Sequence, residues 1–398
     1  MKSTPAIEGG HPVRGVYLPF SPPAIGADEI DGVVRVLRSG WITRGRVCEQ
    51  FEEALASYTG AARAVALSSA TAGLFLSLKI AGIGPGDEVI TTPYTFAATA
   101  NVILHAGACP VFADIEPGTF HVSPAEIEKK ITKRTRALIP VDFGGHPAEM
   151  EKIDALAKSR RIFVIEDAAH AIGARFADGR RVGGGDPVAV FSFHAVKNLT
   201  TAEGGAVMTG DGEFARLLRL HSLHGQTKDA FAKLQAGGWR YDIEVPGFKF
   251  NMTDIQAALG VAQLKRLDAN REVRERIADS YSRFFGSFDF VRVPRVDKGV
   301  THSWHLYPLL IDFSRLRIDR DRFIEALAAE NVSSNVHYIP VHVMSYYRKT
   351  FGYEPLDYPV SYSTFMSEVS LPIYPGMSER DLEDVCEACG KLFRHYAQ

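Results

Sequence analysis

Residues 62–115 read ARAVALSSATAGLFLSLKIAGIGPGDEVITTPYTFAATANVILHAGACPVFADI. ARAVALS predicts a strand and SATAGLFLSLKIAG a helix. DEVITTP predicts a second strand, FAATANVILHAG a second helix and CPVFADI a third strand. Short apolar runs bounded by Ser, Pro or Asp alternate with longer runs that end on Gly, the order expected of strands and helices taking turns. The alternation continues through SPAEIEKKI (helix), TRALIPVD (strand), AEMEKIDALAKSR (helix), and the strands RIFVIED and PVAVFSF. Such a succession argues an α/β fold, a large and mostly parallel sheet with helices on both faces.

Upstream, DEIDGVVRVLRSG and VCEQFEEALASYTG read as amphipathic helices that stop at Gly40 and Gly60, where a left-handed cap suits glycine. After about Met208 the pattern changes. EFARLLRLHSLHG predicts a helix, followed by an irregular stretch rich in Gly, Trp and Tyr. TDIQAALGVAQLKRLDANREVRERIADSYSRFF then predicts one or two long helices. HSWHLYPLLIDF, RDRFIEALAAENV and a last helix complete a small α+β unit. We therefore expect a large domain over residues 1–260 and a small C-terminal domain over 261–398, with the helix near 255–285 as the hinge.

Composition bounds the function. The 398 residues are 46% hydrophobic and 23% charged, with a net charge of −2. Nothing there favours nucleic acid or an anionic membrane surface, so an anionic ligand has to be met by local groups. The most apolar window, Ala61 to Gly84, is interrupted by Ser, Thr, Lys and Gly, which argues against membrane insertion. Four cysteines argue against a disulfide framework and for a cytoplasmic setting. Cys386 and Cys389, three apart on a predicted helix, read as packing residues, because a zinc site needs two further ligands. No metal site is expected.

Ligands of α/β sheets gather at the carboxyl ends of strands, so the residues just after each strand carry the argument. Asp167 ends RIFVIED; it suits either an N-cap for AAHAIG or a buried carboxylate paired with a ring nitrogen. Lys197 follows PVAVFSF in a turn; it is either solvated or, if desolvated, a nucleophilic amine. Ser192 and His194 flank it. LSSATAG sets Ser68, Ser69, Thr71 and Gly73 at a helix start, where free N–H groups and hydroxyls serve as ordinary caps or as an anion site. Phe96, in TTPYTFAATAN, suits a core or a stacking position. His302 and His305 of HSWHLY read as structural or substrate-side.

Taken together, SGWITRG, LSSATAG, GDEVITTPYTF, VIEDAAHAIGA, FSFHAVKNLTTAEGGAV, GFKFNMTDIQAA, VHYIPVH and SLPIYPGM resemble the sugar aminotransferases of the DegT/DnrJ/EryC1/StrS family over nearly the whole chain. The resemblance implies the fold-type I, aspartate-aminotransferase-like architecture with pyridoxal 5'-phosphate as cofactor. By that likeness Lys197 holds the cofactor as a Schiff base and shuttles protons. Asp167 pairs with the pyridine nitrogen, and His170 lies near the ring oxygen, where many members carry Gln. Thr71, Ala72 and Ser192 hold the phosphate, and Phe96 stacks on the ring. The likeness further implies that Asn251 reaches the phosphate from a second subunit, making a homodimer with shared active sites. Within the family the motifs are most similar to the branch of the UDP-4-amino-4-deoxy-L-arabinose pathway. This implies a UDP-linked 4-keto sugar as acceptor and L-glutamate as donor, released as 2-oxoglutarate. Trp41, Ile42, Thr43 and His337 would then face the sugar nucleotide. A dTDP-linked sugar aminated at C3 stands as the alternative. Lys197 speaks against a dehydratase or a non-catalytic regulator, in which that lysine is lost.

Overall fold

The computed structural model describes residues 4–227 and 241–398, so most of the Gly-, Trp- and Tyr-rich stretch lies outside the described residues. Its larger sheet contains β1 (Arg63–Leu67), β2 (Glu88–Thr91), β3 (Cys109–Phe112), β4 (Thr135–Ile139), β5 (Phe163–Asp167), β6 (Val188–Ser192) and β7 (Gly205–Thr209). Their spatial order is β1-β7-β6-β5-β4-β2-β3. The run from β6 to β3 is parallel, whereas β7 pairs antiparallel with both β6 and β1. Six strands fall where the apolar runs place them. β7 escapes that reading because no helix separates it from β6; residues 193–204 form a loop instead, and Lys197 sits in it.

Both faces of the sheet are covered, and the pleat decides which side chain goes where. Val65, Leu67, Val190 and Val207 join one core with residues of α3 (Ala70–Ile80) and α4 (Ala97–His105). Their neighbours Ala64, Ala66, Ala189, Ala206 and Met208 face the other way, onto Cys48, Phe51 and Leu55 of the helix Arg46–Thr59. That helix and the one before it, Ala27–Ser39, stop at Gly60 and Gly40, with φ of 88° and 75°. Both are the left-handed caps expected from sequence.

The long helical segment divides into Asp254–Leu264 and Leu267–Phe285. Beyond it a small antiparallel sheet forms, order β10-β9-β8, from β8 (Val291–Arg292), β9 (Tyr307–Ile311) and β10 (Glu368–Leu371). Tyr281, Tyr307, Phe323, Leu371 and Phe393 share its core with the buried Cys389, and Cys386 packs at the edge. Residues 5–18, grouped by sequence with the large unit, lie against these C-terminal elements. Leu18 bridges to Val332, and the Ala6 and Val13 N–H groups donate to the buried Glu330 carboxylate. The pull is electrostatic: a buried carboxylate needs donors, and the chain's start supplies them. Among the described residues no helix is long and apolar enough to cross a membrane.

Candidate active site

A cavity of about 580 Å³ opens at the carboxyl ends of β5 and β6. Asp167, the last residue of β5, is buried there. Its Oδ2 accepts from Thr99 Oγ1 at 2.8 Å and its Oδ1 from the Ala169 N–H at 3.2 Å. Thr99 lies in the first turn of α4, and its own Oγ1 is 2.9 Å from Thr95 Oγ1. Burial pushes the Asp167 carboxyl above the usual carboxylate range, partly offset by Thr99, Ala169 and the charge of Lys197. Both hydrogen-bond donors are uncharged. What this carboxylate lacks is a charged hydrogen-bond donor, and a protonated pyridine nitrogen would supply one.

Lys197 projects from the β6–β7 loop. Burial lowers its amine to about 8, against the opposing pull of Asp167. Its Nζ lies 3.5 Å from Nε2 of His305. A lysine tuned in this way has far more of the neutral amine near physiological pH than an ordinary lysine and is a competent nucleophile toward an aldehyde.

One end of the cavity is formed by the start of α3. Ser69 is its N-cap, accepting from the Ala72 N–H at 3.1 Å. Ser69, Ala70 and Thr71 line the cavity beside Ser192. Ala72 is not at its wall; its backbone N–H is engaged by Ser69, and its side chain is buried. The loop lies flat on β7 because position 205 is glycine: a Cβ there would come 2.4 Å from Ala70 N. Phe96, just before α4, lines the cavity with 60% of its surface open, an apolar ring free to cover a flat ligand.

On the opposite wall His170 packs against His305, with ring centroids 4.4 Å apart and planes tilted by 48°. The Gly144 N–H donates to His170 Nδ1 at 3.2 Å. The proton of the neutral ring therefore sits on Nε2, which lies 3.1 Å from the Tyr338 hydroxyl. Burial holds both imidazoles well below the usual histidine range, assisted by the positive charge of Lys197. The turn beneath them requires Gly145, at φ 99°, since a Cβ would lie 2.2 Å from Ser303 Oγ. His337 and Tyr338 also line the cavity.

Thus Thr71, Phe96, Asp167, His170, Ser192, Lys197 and His337 line one cavity. Trp41, Thr43 and Asn251 do not line it. Trp41 Nε1 donates to the Arg44 carbonyl, the Thr43 carbonyl accepts the Asp254 N–H, and Asn251 bridges to Leu67. Thr99 and Tyr338 are not among the residues expected from sequence, and His305, expected as structural or substrate-side, lies beside the Lys197 amine. Thr99 has a signal, three residues past Phe96 and so one helical turn along.

A lysine amine lowered by burial, a buried carboxylate, an open aromatic ring and a capped helix start around one cavity of this sheet are the groups a pyridoxal-phosphate-dependent aminotransferase calls for. The model of the DegT/DnrJ/EryC1/StrS aminotransferase family matches residues 23–389. The spore coat polysaccharide biosynthesis protein SpsC of Bacillus subtilis is 46% identical over 377 residues, covering 94% of this chain and 97% of its own. Spr1654 from Streptococcus pneumoniae, solved in a PMP-form, has a TM-score of 0.89 at 36% identity, covering 95% and 99% of the two chains. Its PLP-form scores 0.89 at 35% identity, with the same coverage. Helicobacter pylori PseC, an aminotransferase involved in the biosynthesis of pseudoaminic acid, scores 0.88 at 30% identity, covering 96% and 100%. The chain belongs to the DegT/DnrJ/EryC1/StrS aminotransferase family, and it is a pyridoxal-phosphate-dependent sugar aminotransferase.

Proposed function

We propose that the chain transfers an amino group from L-glutamate to C4 of a nucleotide-linked keto sugar, UDP-linked, releasing 2-oxoglutarate. The product is a 4-amino sugar nucleotide for cell-surface polysaccharide or lipid A. The observation that carries the chemistry is the Lys197 amine, lowered to about 8, in one cavity with the buried Asp167. Support for a surface-polysaccharide sugar comes from SpsC and PseC, whose names attach them to spore coat polysaccharide and pseudoaminic acid. Amination at C3 of a dTDP-linked sugar is the second reading.

When bound, pyridoxal phosphate carries the amino group between donor and acceptor and withdraws electrons from the reacting carbon. Lys197 would hold it covalently and, once released, move a proton at that carbon. Asp167 would keep the ring nitrogen protonated, with Thr99 fixing the carboxylate. Ser192, Thr71 and the start of α3 would hold the phosphate. Phe96 would cover one ring face and keep water from it. His170, its Nε2 proton turned toward Tyr338, would meet the ring oxygen side.

Trp41, Thr43 and Asn251 lie outside one chain's cavity, in the segments 41–48 and 251–254, which Asp254 joins: its N–H donates to the Thr43 carbonyl and its carboxylate accepts from the Gly45 and Cys48 N–H groups. We read this cluster as the part a second copy presents, making the working unit a homodimer. We read residues 1–260 and 261–398 as its two domains and the cytoplasm as its setting.

The test is optical and kinetic. Purified holoenzyme absorbs in the visible, loses that band when L-glutamate is added, and regains it when a UDP-4-keto sugar follows. Lys197→Ala loses turnover by about a thousandfold or more. Full turnover in that variant would refute the assignment, and preference for a dTDP-linked 3-keto sugar in a substrate panel would select the second reading.

A further inference from the structure

Glu368, on β10, is 0% exposed and has no part in the chemistry above. Its Oε2 accepts the backbone N–H of His337 at 2.8 Å, and its Oε1 lies 2.5 Å from Ser370 Oγ. Ser370 Oγ is in turn 2.9 Å from Nδ1 of His337. Two residues apart on a strand, Glu368 and Ser370 share a face. Backbone bonds in both directions between Asn335 and Ser370 hold the 335–337 segment against that strand. The relay ends on a ring that lines the cavity. Among the described residues His337 Nε2 has no hydrogen-bond partner, so it is the ring atom left for a bound molecule.

The hydrogens of such a relay must all point one way. With Glu368 ionised, Ser370 donates to the carboxylate and accepts from Nδ1–H, leaving Nε2 as a bare acceptor. With Glu368 protonated on Oε1, the acid donates to Ser370, Ser370 donates to Nδ1, and Nε2 carries the hydrogen. We propose that Glu368, acting through Ser370, sets which nitrogen of His337 carries the proton. It thereby sets whether His337 accepts from a hydroxyl of the keto sugar or donates to one of its oxygens. Glu368 is a positioning residue, and its effect on substrate rests on the reading that His337 faces the sugar.

Both states are within reach. Burial pushes the Glu368 carboxyl up to about 8, opposed by Ser370, the His337 N–H and Arg320; Tyr94 and Tyr338 also face it. His337 itself stays neutral throughout, because burial and the nearby Lys197 hold it down to about 3. The relay exchanges tautomers, not charge.

The experiment is ¹⁵N NMR of holoenzyme labelled at the histidine ring nitrogens, with His337 identified by the signals that His337→Gln removes. In the native protein the tautomer passes from Nε2–H to Nδ1–H as pH rises through about 8. In Glu368→Gln the amide oxygen must face the His337 N–H, so the amide NH2 faces Ser370 and locks Nε2–H at every pH. Ser370→Ala abolishes the pH response and Ser370→Thr keeps it, which separates the relay from a general loss of fold. A native ring that does not switch, or a Glu368→Gln ring that still does, overturns the relay. Kinetics with UDP-4-keto-pentose test the consequence separately. Glu368→Gln is expected to lose about 10- to 100-fold in kcat/KM above pH 8, where it alone presents Nε2–H. Undiminished kcat/KM in His337→Gln would overturn the sugar-facing reading while leaving the NMR result intact.

Discussion

Nε2 of His305 stands 3.5 Å from the Lys197 amine, and the other nitrogen of that ring, Nδ1, is buried with no hydrogen-bond partner among the described residues. The neutral imidazole fills the space where water would otherwise solvate an ammonium ion. It is therefore part of the burial that lowers Lys197.

Capture of cofactor by the apoenzyme tests this directly. Only the neutral amine attacks an aldehyde. Below its pKa the Lys197 amine is mostly protonated, so the capture rate rises with pH through about 8 and levels off above it. Stopped-flow absorbance against pH gives the midpoint. His305→Ala admits water, and the midpoint is expected to move up toward the ordinary lysine value of 10.5, with kcat falling about tenfold. An unchanged midpoint would refute the role given to His305.

Thr99→Val keeps shape and volume while removing the hydroxyl that donates to Asp167 Oδ2. A hydrogen bond to a charged group contributes about 1.5–3 kcal/mol, so the variant is expected to lose about 10- to 100-fold in kcat. The Asp167 pKa rises further, since Thr99 is the strongest of the contacts holding it down. The acid limb of the remaining activity should therefore lie at higher pH than in the native enzyme, which a pH–rate profile reads.

Gly205→Ala places a Cβ 2.4 Å from Ala70 N and 2.5 Å from the Ser69 carbonyl carbon, both backbone atoms. Relief requires the start of α3 to lift off β7. The expected result is a stability loss of about 1–3 kcal/mol with a larger loss of cofactor affinity, because the displaced N–H groups are the ones proposed above to hold the phosphate. Thermal melts with and without pyridoxal phosphate separate the two: the shift the cofactor produces should shrink.

Most of the large sheet was legible because strand and helix alternate with clean punctuation from Ala62 to Ser192. β7 was not, because its pairing with β1 and β6 depends on a reversal of direction that no local pattern announces. The site divides along the same line. Asp167, Lys197 and the start of α3 each follow a strand within the alternating stretch. Tyr338 comes from the C-terminal residues and lines the cavity only through tertiary packing, which also makes the contacts of His305 with Lys197 and of Glu368 with His337. Trp41, Thr43 and Asn251 were grouped with the site by resemblance, and within one chain they lie elsewhere.

The N-terminal arm yields the last prediction. Glu330 is 0% exposed and its partner Lys391 is 6% exposed, with Nζ 2.8 Å from Oε1. Glu330 also accepts the Ala6 and Val13 N–H groups, and Lys391 donates to the His11 carbonyl at 2.7 Å. Removing one partner leaves a buried charge, so Lys391→Met is expected to cost about 3–5 kcal/mol. Replacing both with apolar residues, Glu330→Leu with Lys391→Met, removes that penalty but leaves three backbone groups of the arm without partners. The double variant should therefore recover most of the stability, while the arm loosens where the backbone bonds were lost. Denaturant titration reads the first effect, and hydrogen exchange at Ala6 and Val13 reads the second. Downstream, Phe20 packs against the His337 ring with centroids 5.5 Å apart. If the arm carries that contact, kcat/KM for the keto sugar falls in the double variant even where stability has returned. Native kinetics alongside raised exchange would show that the arm only holds the C-terminal lobe together.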